Sequence, residues 1–145
     1  MDKKYDCSLM TWVGACEEGY LDIVKWLHEN RKEGCTEEAM DCAAANGHLE
    51  VVKFLHENRT EGCTTFAMDV ASALGHLDVV KWLHENRKEG CTEEALYFSC
   101  ENGNLDVVKW LYENRTEGSI GDAIVIASEY KHWDVVEFLK KKFWN

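Results

Sequence analysis

Cysteine and histidine recur in this sequence at spacings that invite a metal-binding or redox role. Cys7, Cys35, Cys63 and Cys91 follow one another at intervals of 28 residues, as do His28, His56 and His84, and His48, His76 and His132 fall on a second series of the same period. Thiolate and imidazole are the usual zinc ligands, and paired thiols form disulfides. Both uses fail on distance if each interval is one step of a helical stack. Stacked helices lie about 8–10 Å apart, whereas a disulfide needs Cα atoms within about 7 Å and zinc ligands sit about 2.0–2.3 Å from the metal. The ladder cysteines, and Cys16, Cys42 and Cys100 at core-facing places of a helix, therefore read as small buried side chains. Free thiols fit a reducing compartment.

Catalysis is no better served. An active site needs different groups gathered asymmetrically in one pocket, and here the same polar residues are copied in register. No nucleophile motif, phosphate loop or HExxH pattern occurs. The expectation is a protein that is not an enzyme and has no cofactor or metal. Trp26, Phe54, Trp82, Trp110 and Phe138 share one place in the period, an aromatic row that could stack bases. The Lys and Arg around it alternate with Glu, so the row reads as packing between units.

The element that positions these residues is a repeat. From Cys35 to Gly62 runs one unit, and its frame restarts at Cys63 and Cys91 and, more diverged, at Cys7 and Ser119. The expected units are 7–34, 35–62, 63–90, 91–118 and 119–145, within one domain spanning 1–145. Each reads as two short helices. Thr36 is an N-cap with Glu37 and Glu38 in the first turn, and Ala39, Met40, Ala43 and Ala44 form one apolar stripe. Gly47 ends the first helix, and a second begins near His48 with Leu49, Val51, Val52, Phe54 and Leu55. Helices of about ten residues are too short to persist alone, so stacking of successive pairs must bury their stripes.

Gly47-His48-Leu49-Glu50-Val51-Val52-Lys53, with Ala43-Ala44 before it and Leu55 after it, resembles the second-helix start of ankyrin repeats. The match recurs along the whole chain, and the unit is similar to the short ankyrin-type repeats of protist and giant-virus proteins. Ankyrin units run to about 33 residues, so the deficit here falls where the family places its β-hairpin finger. The resemblance implies an all-α, α-hairpin solenoid of five ankyrin-like repeats with trimmed or absent fingers. It also implies an adaptor, scaffold or inhibitor that binds another protein, acting in a host cell if the source is viral or parasitic; a cytoplasmic location is expected from the polar start and the free thiols.

Five copies of one unit provide an internal comparison. The second helix barely varies, whereas the third, fourth, seventh, eleventh and twelfth places of the first helix do. Those places hold eleven of the 27 acidic residues and no Lys or Arg, so the other 16 acids balance the 16 bases and the whole formal charge of −11 sits on the variable stripe. Helix-dipole placement accounts for Glu37, Glu38, Glu93, Glu94 and Asp122, but not for Asp41, Asp69, Glu101 or Glu129. Places four, seven and eleven are expected to share one exposed face, which the resemblance implies is the concave one. The candidate partner-binding residues are Glu38, Asp41, Asn46, Phe66, Asp69, Leu74, Glu94, Tyr97, Glu101 and Asn102, with Phe66, Leu74 and Tyr97 as apolar anchors in a polar rim.

The implied partner is a basic or mixed basic-apolar protein surface or peptide, bound by a monomer. A structural element that self-associates is the alternative. Nucleic-acid binding would need the opposite charge on the working face. No apolar run approaches the ~18 residues of a membrane span, and the start Met1-Asp2-Lys3-Lys4-Tyr5-Asp6 is too polar for a signal peptide. The diverged first copy (Leu9, Met10, Trp12) and the final Lys140-Lys141-Lys142-Phe143-Trp144-Asn145 read as caps of the stack.

Overall fold

Each first-helix start is realised by a hydroxyl. In the computed structural model, which describes residues 11–144, Thr11, Thr36, Thr64, Thr92 and Ser119 accept from Gly14, Glu38, Phe66, Glu94 and Asp122 N–H respectively, satisfying donors that a helix N-terminus leaves unpaired. These caps open the first helices: α1 (Trp12–Glu17), α3 (Glu37–Ala45), α5 (Thr65–Ala73), α7 (Glu93–Glu101) and α9 (Ile120–Glu129). The second helices are α2 (Leu21–Asn30), α4 (Leu49–Asn58), α6 (Leu77–Asn86), α8 (Leu105–Asn114) and α10 (Trp133–Phe143). No strand occurs among the described residues; the finger is reduced to a plain loop. Cys7, Leu9, Met10 and Asn145 lie outside the described residues.

The first helices pack directly on one another, α1 on α3, α3 on α5, α5 on α7 and α7 on α9, while the second helices touch their neighbours far less. Small side chains set this difference. Ala15, Ala43, Ala71, Ser99 and Ala127 are wholly buried at one place of the first helices and let the backbones approach closely. The second helices carry Phe54, Trp82 and Trp110 between them and stand further apart. One continuous core runs the length of the stack, built from Val24, Val52, Val80, Val108 and Val136 with Leu27, Leu55, Leu83, Leu111 and Leu139.

Three polar joints repeat between units. His48 Nε2 bonds Glu17 O at 2.8 Å and His132 Nε2 bonds Glu101 O at 2.8 Å. Asn104 Nδ2 donates to Ala73 O at 2.6 Å. Each thereby satisfies a carbonyl orphaned at a helix C-terminus. On the outer side, Arg59, Arg87 and Arg115 each pair with the glutamate two residues on. Their Nη1 atoms lie 3.4, 3.3 and 3.3 Å from Nδ1 of His28, His56 and His84 in the unit before. A guanidinium only donates, so each Nδ1 accepts. The rings of His28, His56 and His84 meet Phe54, Trp82 and Trp110 edge-on, with centroids 5.7, 5.0 and 5.0 Å apart. The aromatic and histidine rows are thus one packing ladder.

Candidate interaction face

The third joint determines which variable residues are free. Thr64 donates its backbone N–H and its hydroxyl to the Asp41 carboxylate at 2.8 and 2.7 Å, and Thr92 does the same to Asp69 at 2.7 and 2.8 Å. Asp41 and Asp69 are only 7% and 4% exposed. In the next copy Tyr97 replaces the aspartate, and its phenol oxygen accepts from Ser119 N–H at 2.9 Å. In these three copies the seventh place therefore faces the following unit rather than solvent, which corrects the expected placement of Asp41, Asp69 and Tyr97 on the open face; Val125, at the same place in the fifth copy, is exposed. The physical reason is angular: places seven and eight lie about 100° apart around a helix, and the neighbouring helix covers seven.

The exposed rows are instead places four, eight and twelve, one helix face at i, i+4 and i+8. The fourth place gives Glu38, Phe66, Glu94 and Asp122, all exposed, and the twelfth gives Glu18, Asn46, Leu74, Asn102 and Tyr130, also exposed. The eighth place gives Cys42, Val70 and Ile126, half-buried, and Phe98, exposed. Sequence reasoning missed this middle row. Its signal was present in the variation in size through Gly14, Cys42, Val70, Phe98 and Ile126, which no packed position would tolerate.

At the centre, α5 and its C-cap carry Phe66, Val70 and Leu74 as an apolar stripe turned to solvent. Phe66 is 51% and Leu74 55% exposed, and Phe98 stands beside them on α7. Between the N-terminal ends of α5 and α7 lies an open depression of about 590 Å³, lined by Phe66, Glu93, Glu94 and Glu117 among others. Glu38 flanks the stripe on α3 and Glu94 on α7. Glu101, half-buried, sits further along α7 next to Tyr130, whose phenol it pushes above its ordinary range by hydrogen bonding and by charge. Asn46 and Asn102 each donate Nδ2 to a backbone carbonyl, of Cys42 at 2.9 Å and of Ala73 at 3.0 Å, which holds their amides at the rim.

Among the described residues, Cys42, expected at a core-facing place, instead lies half-buried in the middle row of this face. All described cysteines are free, and burial pushes Cys16, Cys63 and Cys100 up to about 12 and Cys91 to about 11. Among the described residues no group of three or more His, Cys, Asp or Glu is placed to hold a metal ion, and no helix is long and apolar enough to cross a membrane.

A capped helix pair repeated every 28 residues, with its variable face on the first helices, defines a helical repeat protein. A family model for ankyrin repeats (3 copies) matches residues 12–94 and 67–143, and the chain belongs to the ankyrin-repeat family. Ankyrin repeats generally serve as protein–protein interaction modules. Comparison with curated proteins gives no match.

Proposed function

We propose that this chain is an adaptor, scaffold or inhibitor that binds a basic, partly apolar protein partner through the exposed face of α3, α5 and α7. The observation that carries this reading is the stripe Phe66–Val70–Leu74, with Phe66 and Leu74 exposed and Val70 half-buried between them, on a helix whose opposite side is packed. An apolar patch that the fold does not need marks a contact surface. Its setting among Glu38, Glu93 and Glu94, with Asn46 and Asn102, has the form of an apolar hot spot inside a polar rim. The acidic flanks steer and select a basic partner and repel nucleic acid. Free, buried thiols suit a reducing compartment such as the cytoplasm, and the protein acts as a monomer.

The test is a pull-down with wild type and with Phe66→Ala/Leu74→Ala/Glu94→Lys, after circular dichroism confirms equal helicity. A partner held by wild type and lost by the variant supports the reading. Equal recovery moves the working surface elsewhere and overturns it.

A further inference from the structure

We infer that the occupant of this face is an extended peptide read once every three residues, with an apolar side chain over Phe66 and Val70 and basic side chains three residues to either side. The inference rests on the interaction face proposed above and deepens it.

The exposed rows run parallel to the stack and differ in chemistry. Glu38, Phe66, Glu94 and Asp122 form an acidic edge broken once by an aromatic ring. Cys42, Val70, Phe98 and Ile126 form an apolar floor, and Asn46, Leu74 and Asn102 form an opposite edge bearing amides. The surface is a face with one charged edge and one hydrogen-bonding edge on either side of the apolar row, and this three-row face is the trough a ligand would occupy.

Its period selects the ligand's conformation. Neighbouring first helices lie about 8–10 Å apart. A polyproline II chain rises about 3.1 Å per residue with three residues per turn, so it returns a side chain to the same side about every 9 Å. A peptide lying along the trough thus meets Glu38, Phe66 and Glu94 with residues −3, 0 and +3. Charge complementarity makes the outer two Arg or Lys, with their stems on the floor, and the central one apolar.

A helical ligand would keep step only every seventh residue, at about 1.5 Å per residue, and its backbone N–H groups are already bonded within the helix. The amide wall favours the extended form. Asn46 and Asn102 each commit an N–H to the protein and keep the side-chain oxygen to accept, which suits a chain whose own N–H groups are unpaired.

The probe is a fluorescein-labelled peptide with Leu at its centre, Arg three residues to each side, and Ser and Pro between. Two companions have Arg two residues from the Leu, or Arg seven residues away in a helix-forming sequence. Fluorescence polarisation should show the three-residue spacing binding about tenfold or more tighter than either companion, weakening with salt. Phe66→Ala should lower its affinity about tenfold, and Glu94→Lys should abolish the spacing preference.

Equal affinity for all three peptides, or preference for the helical one, would overturn the inference. So would concentration-dependent self-association of wild type that Phe66→Ala removes, because a second copy, with its Lys140–Trp144 segment, would then fill the trough. If no peptide binds while the triple variant still loses its partner in the pull-down, the peptide inference fails and the interaction face stands. If the pull-down is also unchanged, both fail.

Discussion

Thr64 holds Asp41 with two hydrogen bonds across a span of 23 residues, its N–H at 2.8 Å and its hydroxyl at 2.7 Å, while the same hydroxyl accepts from Phe66 N–H at 3.1 Å to cap α5. One threonine thus starts its own helix and fastens that helix to the preceding unit. Removing the carboxylate leaves two donors unpaired, one a backbone N–H. Asp41→Ala and Asp69→Ala should each cost about 1–3 kcal/mol in urea denaturation, and a double-mutant cycle of Asp69 with Thr92 should give a clear coupling. A loss no greater than that of exposed Glu38→Ala would show that the joint contributes nothing to stability.

Acid should loosen the stack through a different joint. Hydrogen bonding from Arg59 and Arg115 holds the Glu61 and Glu117 carboxyls below their ordinary range. At Glu89 burial pushes upward but is outweighed by Arg87 and backbone donors, so this carboxyl is also lowered. A carboxyl depressed by folding contributes stability above its unfolded value, about 4.3 for Glu, and that contribution is lost as pH falls through the folded value. Urea midpoints should therefore drop below about pH 4.3, and the Gln variant of all three should flatten the drop. Asp69 has the opposite sign, since burial raises its carboxyl despite the Thr92 bonds. Asp69→Asn should make the acid loss steeper.

These joints mark the limit of what the sequence displays. Caps at Thr36, Thr64 and Thr92, the left-handed stop at Gly47 and the Val-Val pairs are local signals, and the helices follow them to within a residue. The aspartate joint is not local. The partner of Asp41 and Asp69 is the second-place threonine, which gives way to Ile120 in the fifth copy, and Tyr97 accepts from Ser119 N–H instead; such paired change looks the same as change imposed by a partner. The histidine ladder hides a similar pairing. Tyr112 replaces His in the copy where residue 143, 31 places on, is Phe rather than Arg, and Tyr112 instead meets Phe138 edge-on at 5.9 Å. Periodicity identifies the faces of each helix; only the stack shows which of two faces about 100° apart is covered.

Thiol chemistry reports the same burial. Burial is the leading cause of the raised values at Cys16, Cys63, Cys91 and Cys100, and a thiol reacts as its thiolate. With an aromatic disulfide reagent at pH 8, these four should label only as the protein unfolds. Half-exposed Cys35 and Cys42 should label faster in the native state, and a ligand in the trough should slow Cys42 alone. Mass spectrometry of the labelled peptides checks the order, and rapid native labelling of Cys100 would contradict the packing described.

Lys131 is the described non-glycine residue with a left-handed backbone, at φ 63°, and its neighbours explain why the fifth copy tolerates it. Its counterpart Gly47 has φ 78°, and a Cβ there would lie 2.6 Å from His76 Nδ1 in the next unit. Two constraints therefore act on Gly47, the backbone and the ring. At Lys131 no histidine of a following unit is packed on the backbone among the described residues, so only the backbone cost remains. For an L-residue that cost is about 1 kcal/mol or more, partly offset by the greater freedom of glycine when unfolded. Lys131→Gly should therefore raise stability by about 0.5–1 kcal/mol. Gly47→Ala should lower it by more than the backbone term alone, because the His76 ring must also move. Paired urea titrations of the two variants separate the constraints: equal and opposite shifts would mean that the ring contact at Gly47 costs nothing.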